Sequence, residues 1–190
     1  MASPTTASDA SGGAVLVTGG AGYIGSHAVK ALCEAGRRVV VYDDLSEGHR
    51  GAVPGIDLVE GDTSDLARLR EVIAARNVTA VMHFAAWAAV GESVAEPAGY
   101  YRNNVGGTLG VLEAMAREQV KVFIFSSTAA VFGEPERVPI DEAHPARPIN
   151  PYGETKLVVE RALPHYERAY GIRSICLRYF NAAGADPSFL

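Results

Sequence analysis

The stretch VTGGAGYIGSH, residues 17–27, decides the fold. It follows a short apolar run, AVLVT (14–18), and leads into a segment with Ile24, Ala28, Leu32 and Ala35 on one helical face, so it reads as strand, tight turn, helix. The glycines fall in two overlapping registers, Gly20-x-Gly22-x-x-Gly25 and Gly19-x-x-Gly22-x-x-Gly25. Such glycines allow a tight turn, close backbone approach to a pyrophosphate and tight packing of helix on strand, while the helix N-terminus offers free N–H groups to an anion. A glycine triplet alone is a weak signal. Its position between a strand and a helix makes it a strong one.

Working outward, Gly36 stands where that helix should end, and RVVVYDD (38–44) is a β-branched run closing on two acids. Asp43 comes 18 residues after Gly25, where a carboxylate can accept hydrogen bonds from the hydroxyls of an adenosine ribose. Asp44 adds a second negative charge and no arginine immediately follows the first glycine turn, so a 2′-phosphate would meet repulsion. NAD is favoured over NADP.

The alternation continues through IDLVEGD (56–62), a helix carrying Leu66, Leu69, Val72 and Ile73, and TAVMHFAA (79–86). A longer helix after Pro97, with Val105, Leu109, Leu112 and Ala116 inward, leads to KVFIFSS (121–127). After a Pro-rich loop come a helix over about 151–169 and the run IRSICLRYF (172–180). Six continuous apolar strands, most separated by a helix, predict an α/β fold: a doubly wound, parallel Rossmann sheet of order 3-2-1-4-5-6 with helices on both faces. Residues 14–190 form one domain after a flexible tail, 1–13. Pro164 should kink the last helix or end it early.

Composition narrows the function. With 190 residues, 48% apolar and 21% charged, the chain can bury a full core, and a net charge of −5 without a basic stripe speaks against nucleic acid as a partner. No apolar run nears the roughly 20 residues of a membrane-spanning helix. Cys33 and Cys176 lie far apart in apolar segments and read as small buried hydrophobes, which fits a reducing, cytoplasmic setting. The five histidines show no metal-ligand spacing, and no metal is expected.

NPYGETK (150–156) carries the candidate chemistry. Asn150 can cap a helix that Pro151 begins, which sets Tyr152 and Lys156 four apart on one face. An ammonium beside the phenol favours phenolate, so Tyr152 can act as a base closer to neutral pH than a free tyrosine, whose pKa is about 10. YxxxK is common on amphipathic helices. What raises it here is FSSTAAVFGE (125–134), which puts Ser126, Ser127 and Thr128 at the carboxyl end of the fifth strand, where a Rossmann ligand binds. Thr128 can hydrogen-bond a sugar hydroxyl beside Tyr152. Ser127 is expected only to satisfy loop backbone groups.

In order, TGGAGYIGSH, DDLSEGH, HFAAWAAVGESV, YYRNNVGGTL, FSSTAAVFGE, PINPYGETK and LRYFNAAGADP closely resemble the UDP-glucose 4-epimerases, NAD-dependent epimerase/dehydratases of the extended short-chain dehydrogenase/reductase type. The resemblance implies Tyr152 as catalytic base, Lys156 as its pKa partner and nicotinamide-ribose ligand, and Thr128 as the residue orienting the sugar 4-hydroxyl. It implies Gly19, Gly22, Tyr23, Ile24 and Gly25 at the cofactor phosphates, and Asp43, Asp62 and Thr63 about the adenosine. Phe84, Ala85, Ala86, Asn103, Ser126 and Tyr179 would line the rest of the NAD site, and Phe180 and Asn181 would meet the UDP-sugar. The implied reaction interconverts UDP-galactose and UDP-glucose: hydride passes from C4 to bound NAD, and the 4-keto sugar turns and takes the hydride back on its other face.

Ala88 stands where some members of the family have a lysine, and Trp87 beside it reads as a packing residue. Related dehydratases and decarboxylases carry an acid within two positions after the threonine; Ala129 and Ala130 stand there instead, which favours plain epimerisation. A UDP-pentose 4-epimerase and an inactive NAD-binding fragment remain the competing readings. Family members continue well past the sixth strand, so the substrate domain is expected to be largely missing and the chain to bind NAD with little or no epimerase activity. The resemblance further implies a homodimer, through a four-helix bundle of residues 97–119 and 151–169.

Overall fold

The computed structural model describes residues 12–186. Strands β1 (Ala14–Thr18), β2 (Val39–Asp43), β3 (Asp57–Glu60), β4 (Val78–His83), β5 (Val122–Thr128) and β6 (Arg173–Tyr179) form one sheet in the order β3-β2-β1-β4-β5-β6. Every neighbouring pair is parallel. The order reverses between β1 and β4, so chain leaves the carboxyl ends of these two strands in opposite directions and opens a crevice there. The expected doubly wound sheet is the one observed.

Helices lie on both faces. On one, α1 (Tyr23–Glu34) covers β1 and β2, with Val29 packed among Val17, Val39 and Val41. On the other, α2 (Leu66–Ala75), α5 (Gly107–Arg117) and α6 (Pro151–Tyr170) bury Leu69, Leu112 and Leu163 against Leu16, Val81 and Phe123. Between β4 and α5 lie two short helices, α3 (Val90–Ala95) and α4 (Pro97–Tyr100). Among the described residues, α1 leaves the far half of its face uncovered. Cys176 packs toward α6, so by strand alternation Ile175 and Leu177 point the other way, and they are 61% and 36% exposed.

Several expectations need correction. The single helix after Pro97 is α4, a π-helical stretch (Tyr101–Gly106) and α5. The change falls at Gly106 and Gly107, where a Cβ on Gly107 would sit 2.4 Å from Thr63 Oγ1. Pro164 does not end α6, which runs through it to Tyr170 and stops at Gly171 in the left-handed conformation, φ 69°. Pro164 is exposed, so water can replace the N–H it lacks. Neither cysteine is buried: Cys33 is on the solvent side of α1 and Cys176, on the edge strand, is only half covered. The flexible tail falls, up to residue 11, outside the described residues; Gly12 and Gly13 lead straight into β1.

Candidate active site

The glycine turn is shaped by close approaches. At Gly19, with φ +68°, a Cβ would lie 2.4 Å from the Ala85 nitrogen, so only glycine lets the β1 turn and the chain after β4 pass each other. At Gly25 a Cβ would lie 2.1 Å from the Gly19 carbonyl oxygen, which is why α1 can start so close to the strand. Gly22 caps α1 without a side-chain bond, and the first turn has no acidic residue, so its free N–H groups are available to an anion.

Asp43 holds this loop as well as facing the crevice. Its Oδ2 accepts the Ala21 N–H at 2.9 Å and its Oδ1 accepts the Leu45 N–H at 2.9 Å, leaving lone pairs for further donors. With Asp62, Thr63, Phe84, Ala85, Ala86 and Asn103 it lines a small lobe of about 100 Å³, closed on one side by Gly19 and Gly22. Asp62 is itself braced, accepting the Ser64 N–H at 2.7 Å through Oδ1 and the Tyr42 hydroxyl at 2.9 Å through its carbonyl.

A second lobe of about 750 Å³ continues from the same glycines along Tyr23, Ile24 and Gly25 to Ser126, Thr128, Tyr152, Lys156, Tyr179, Phe180 and Asn181. Every candidate residue named from the sequence therefore borders one of two adjoining lobes that share Gly19, Gly22, Phe84 and Ala86. The sequence reading did not name Glu47 or Glu92, which also face the larger lobe.

Tyr152 and Lys156 owe their placement to the start of α6. Asn150 accepts the Gly153 N–H at 2.8 Å, Pro151 follows at the first helical position, and the Tyr152 N–H donates to Ser93 Oγ at 3.2 Å. Lys156 is 3% exposed, donates to the Ser126 carbonyl oxygen at 2.8 Å, and lies 5.0 Å from the Phe125 ring centroid and 6.0 Å from that of Tyr152. Burial disfavours its charge and pulls its pKa down to about 8.

The phenol departs from expectation. Burial raises the Tyr152 pKa, and the hydrogen bond from Thr128 draws it only partway back. Desolvation of the phenolate is the larger effect, and the neighbouring lysine ammonium is bound to Ser126. Thr128 also caps the 3-10 turn Ala129–Phe132, accepting the Ala130 N–H at 3.1 Å.

Other residues that position the site carried no signal in sequence. Buried Asn104 accepts the Trp87 N–H at 2.9 Å and donates to the Trp87 carbonyl at 3.0 Å and to Thr155 Oγ1 at 3.2 Å, tying the wall of the crevice to α6. Trp87 packs edge-on against Tyr100, 5.5 Å between centroids, but it is only partly buried and also borders both lobes. Ser127 does not serve loop backbone: its hydroxyl donates to the Glu160 carboxylate, one helical turn beyond Lys156. Among the described residues, no group of three or more His, Cys, Asp or Glu could hold a metal ion, and no helix is long and apolar enough to cross a membrane.

A parallel sheet with a glycine turn at its switch point, a carboxylate closing the second strand, and threonine, tyrosine and lysine on the same crevice wall define a protein of the dinucleotide-binding Rossmann class. More particularly, the chain belongs to the NAD dependent epimerase/dehydratase family, which matches residues 15–189. It is 51% identical over 175 residues to the UDP-glucose 4-epimerase of Halalkalibacterium halodurans, across 92% of this chain and 52% of that one. With the UDP-glucose 4-epimerase of Rhizobium leguminosarum bv. trifolii the identity is 53%, across 92% and 54%. Among solved structures, UDP-glucose 4-epimerase from Brucella ovis in complex with NAD superposes with a TM-score of 0.90 at 54% identity, covering 92% of this chain and 54% of that one. The enzyme from Bifidobacterium longum in complex with NAD+ and UDP superposes at 0.88 and 39% identity, across 92% and 55%. The chain spans about half the length of the curated relatives it matches.

Proposed function

We propose that the chain carries the NAD site and the catalytic groups of a UDP-glucose 4-epimerase. The observation that carries this reading is the shared crevice: Thr128, Tyr152 and Lys156 face the same lobe as the glycine turn at the N-terminus of α1. The shape of the site fits a dinucleotide, since the uncapped α1 turn suits a pyrophosphate and Asp43 keeps acceptor capacity at the end of the smaller lobe. The similar proteins from Brucella ovis and Bifidobacterium longum were solved with NAD or NAD+.

In this reading Gly19, Gly22, Tyr23, Ile24 and Gly25 hold the phosphates and Asp43, Asp62 and Thr63 the adenosine. Phe84, Ala85, Ala86, Asn103, Ser126 and Tyr179 complete the walls, with Phe180 and Asn181 toward the UDP-sugar. When bound, NAD supplies a reversible two-electron acceptor for C4 of the sugar. The protein's part is to hold the sugar 4-hydroxyl on Thr128 and to take up and return its proton at the Tyr152 oxygen. Burial raises the phenol, and the bond from Thr128 favours the phenolate, the form in which the Tyr152 oxygen takes up that proton. Lys156, fixed on Ser126, presents its remaining N–H groups to the nicotinamide ribose.

We also assign the chain to a homodimer in the cytoplasm. A hollow of about 320 Å³ between Glu113, Arg117, Tyr166 and Tyr170 on the outer sides of α5 and α6 suits a second helix pair, and sedimentation analysis would decide it. Calorimetric titration with NAD, followed by UDP-galactose-dependent reduced-nicotinamide fluorescence, tests the main reading. Expected are NAD binding by the wild type and a slow fluorescence change that Tyr152→Phe abolishes. Failure to bind NAD overturns the reading. Equal, zero turnover in both proteins would favour the competing view of an NAD-binding fragment, and a response to UDP-pentoses alone would favour the pentose epimerase.

A further inference from the structure

Glu160 lies on the face of α6 that bears Tyr152 and Lys156, eight and four residues on from them. Its carboxylate meets two residues that are direct partners across β5 and β6, Ser127 and Arg178. Ser127, 2% exposed, donates its hydroxyl to Oε1. Arg178 forks onto both oxygens, Nε to Oε1 at 3.0 Å and Nη2 to Oε2 at 2.6 Å, and its guanidinium covers the Phe132 ring at 4.9 Å. Ser127 itself borders the larger lobe, between Ser126 and Thr128, and Arg178 precedes Tyr179.

We propose that Glu160 is a positioning residue, the centre of a clamp with Ser127 and Arg178 that fixes how α6 sits on β5 and β6 and thereby holds Lys156 and Tyr152 in register with Ser126, Thr128 and Tyr179. The proposal rests on the NAD-binding reading above. Lys156 reaches Ser126 by a single hydrogen bond, and α6 is otherwise held by Asn104 on Thr155, by Ser93 at its first turn and by apolar packing, which tolerate small rotations. The bidentate pair one turn further on narrows them, because a planar fork on a carboxylate admits one orientation. The adenosine end of the smaller lobe stands apart from the clamp: Asp43 ends β2, and Asp62 and Thr63 follow β3, on the far side of the sheet order.

The test is therefore a comparison of two ligands on the same folded chain: NAD, which spans both lobes, and ADP, which reaches only the adenosine and phosphate end. Removing the Glu160 side chain (Glu160→Ala) should weaken NAD about tenfold and the milder Ser127→Ala about threefold, each with ADP affinity changed less than about twofold. Glu160→Gln, which can still accept from Ser127, should recover part of the loss. Thermal unfolding of each variant shows that the comparison is made on folded protein, and Ser127→Ala carries the test if Glu160→Ala does not fold. Equal weakening of both ligands, or no change in either, overturns the clamp while leaving the NAD reading intact. Wild-type protein that holds NAD no more tightly than ADP overturns that reading, and the clamp with it.

Discussion

The ammonium of Lys156 is bound to the carbonyl oxygen of Ser126 at 2.8 Å, so the one cation on the crevice face of α6 is fastened to the strand that carries Thr128. The bond costs water: Lys156 is buried and its pKa falls to about 8 from the ordinary 10.5.

That shift sets a pH dependence. Between about pH 8 and 10.5 the unfolded chain keeps the lysine proton while the folded chain releases it, so folding stability rises with pH through this window. Below it the folded chain bears the full cost of the buried charge, on the order of 3 kcal/mol. Urea unfolding of wild type and Lys156→Met should show the variant gaining most at pH 7 and the gap narrowing toward pH 9.5. A gap that widens with pH contradicts this account.

His83 sets the acid limit. Thr108 gives its hydroxyl proton to the Asn104 carbonyl at 2.6 Å, so it accepts from His83 Nε2 at 2.8 Å, and Nδ1 accepts from Thr18 Oγ1 at 2.6 Å. The ring is neutral, with burial and the Lys156 charge lowering its pKa to about 3. The unfolded chain protonates near 6.5, so stability is lost as pH falls from 6.5 toward 3, by a few kcal/mol at about 1.4 per unit. His83→Gln should flatten the slope of unfolding free energy between pH 6.5 and 4, and an unchanged slope would assign acid lability to other groups.

Asp43 has two tasks, and they separate by substitution. Asp43→Ala strands the Ala21 and Leu45 N–H groups and should cost about 2 kcal/mol of stability as well as at least about tenfold in NAD affinity. Asp43→Asn keeps one acceptor oxygen and should recover more stability than affinity. Chemical unfolding beside NAD titration reads both, and equal recovery of the two would deny the carboxylate a direct role toward the ribose.

Glycines that look alike in sequence should behave differently. Gly25→Ala drives a methyl into the Gly19 carbonyl and should destabilise by about 3 kcal/mol or more, whereas Gly91→Ala enters open space in α3 and should be neutral or stabilising by up to about 1 kcal/mol. Thermal unfolding distinguishes them, and comparable effects at both positions would refute the close-approach argument.

Much of the sheet was legible because its signals are local. Strand runs, the glycine turn and the Asn150 and Pro151 helix start each lie within a few residues, and right-handed crossovers leave few ways to order parallel strands. The candidate residues were legible through motifs at strand ends. Asn104, His83 and Glu160 were not, since their partners lie 17 or more residues away. The direction of the Tyr152 shift was misread for the same reason: spacing shows that a lysine is near, while the extent of burial depends on every element packed around it.

By itself, then, the sequence determined the alternation of strands and helices, the crevice at the carboxyl ends of β1 and β4, and which side chains face it, because backbone geometry and polarity period act over a few residues. Tertiary structure alone decided how charged and hydroxyl groups share protons across that crevice. Desolvation and cross-sheet hydrogen bonds arise only when segments distant in the chain are packed together, as Ser127, Glu160 and Arg178 are.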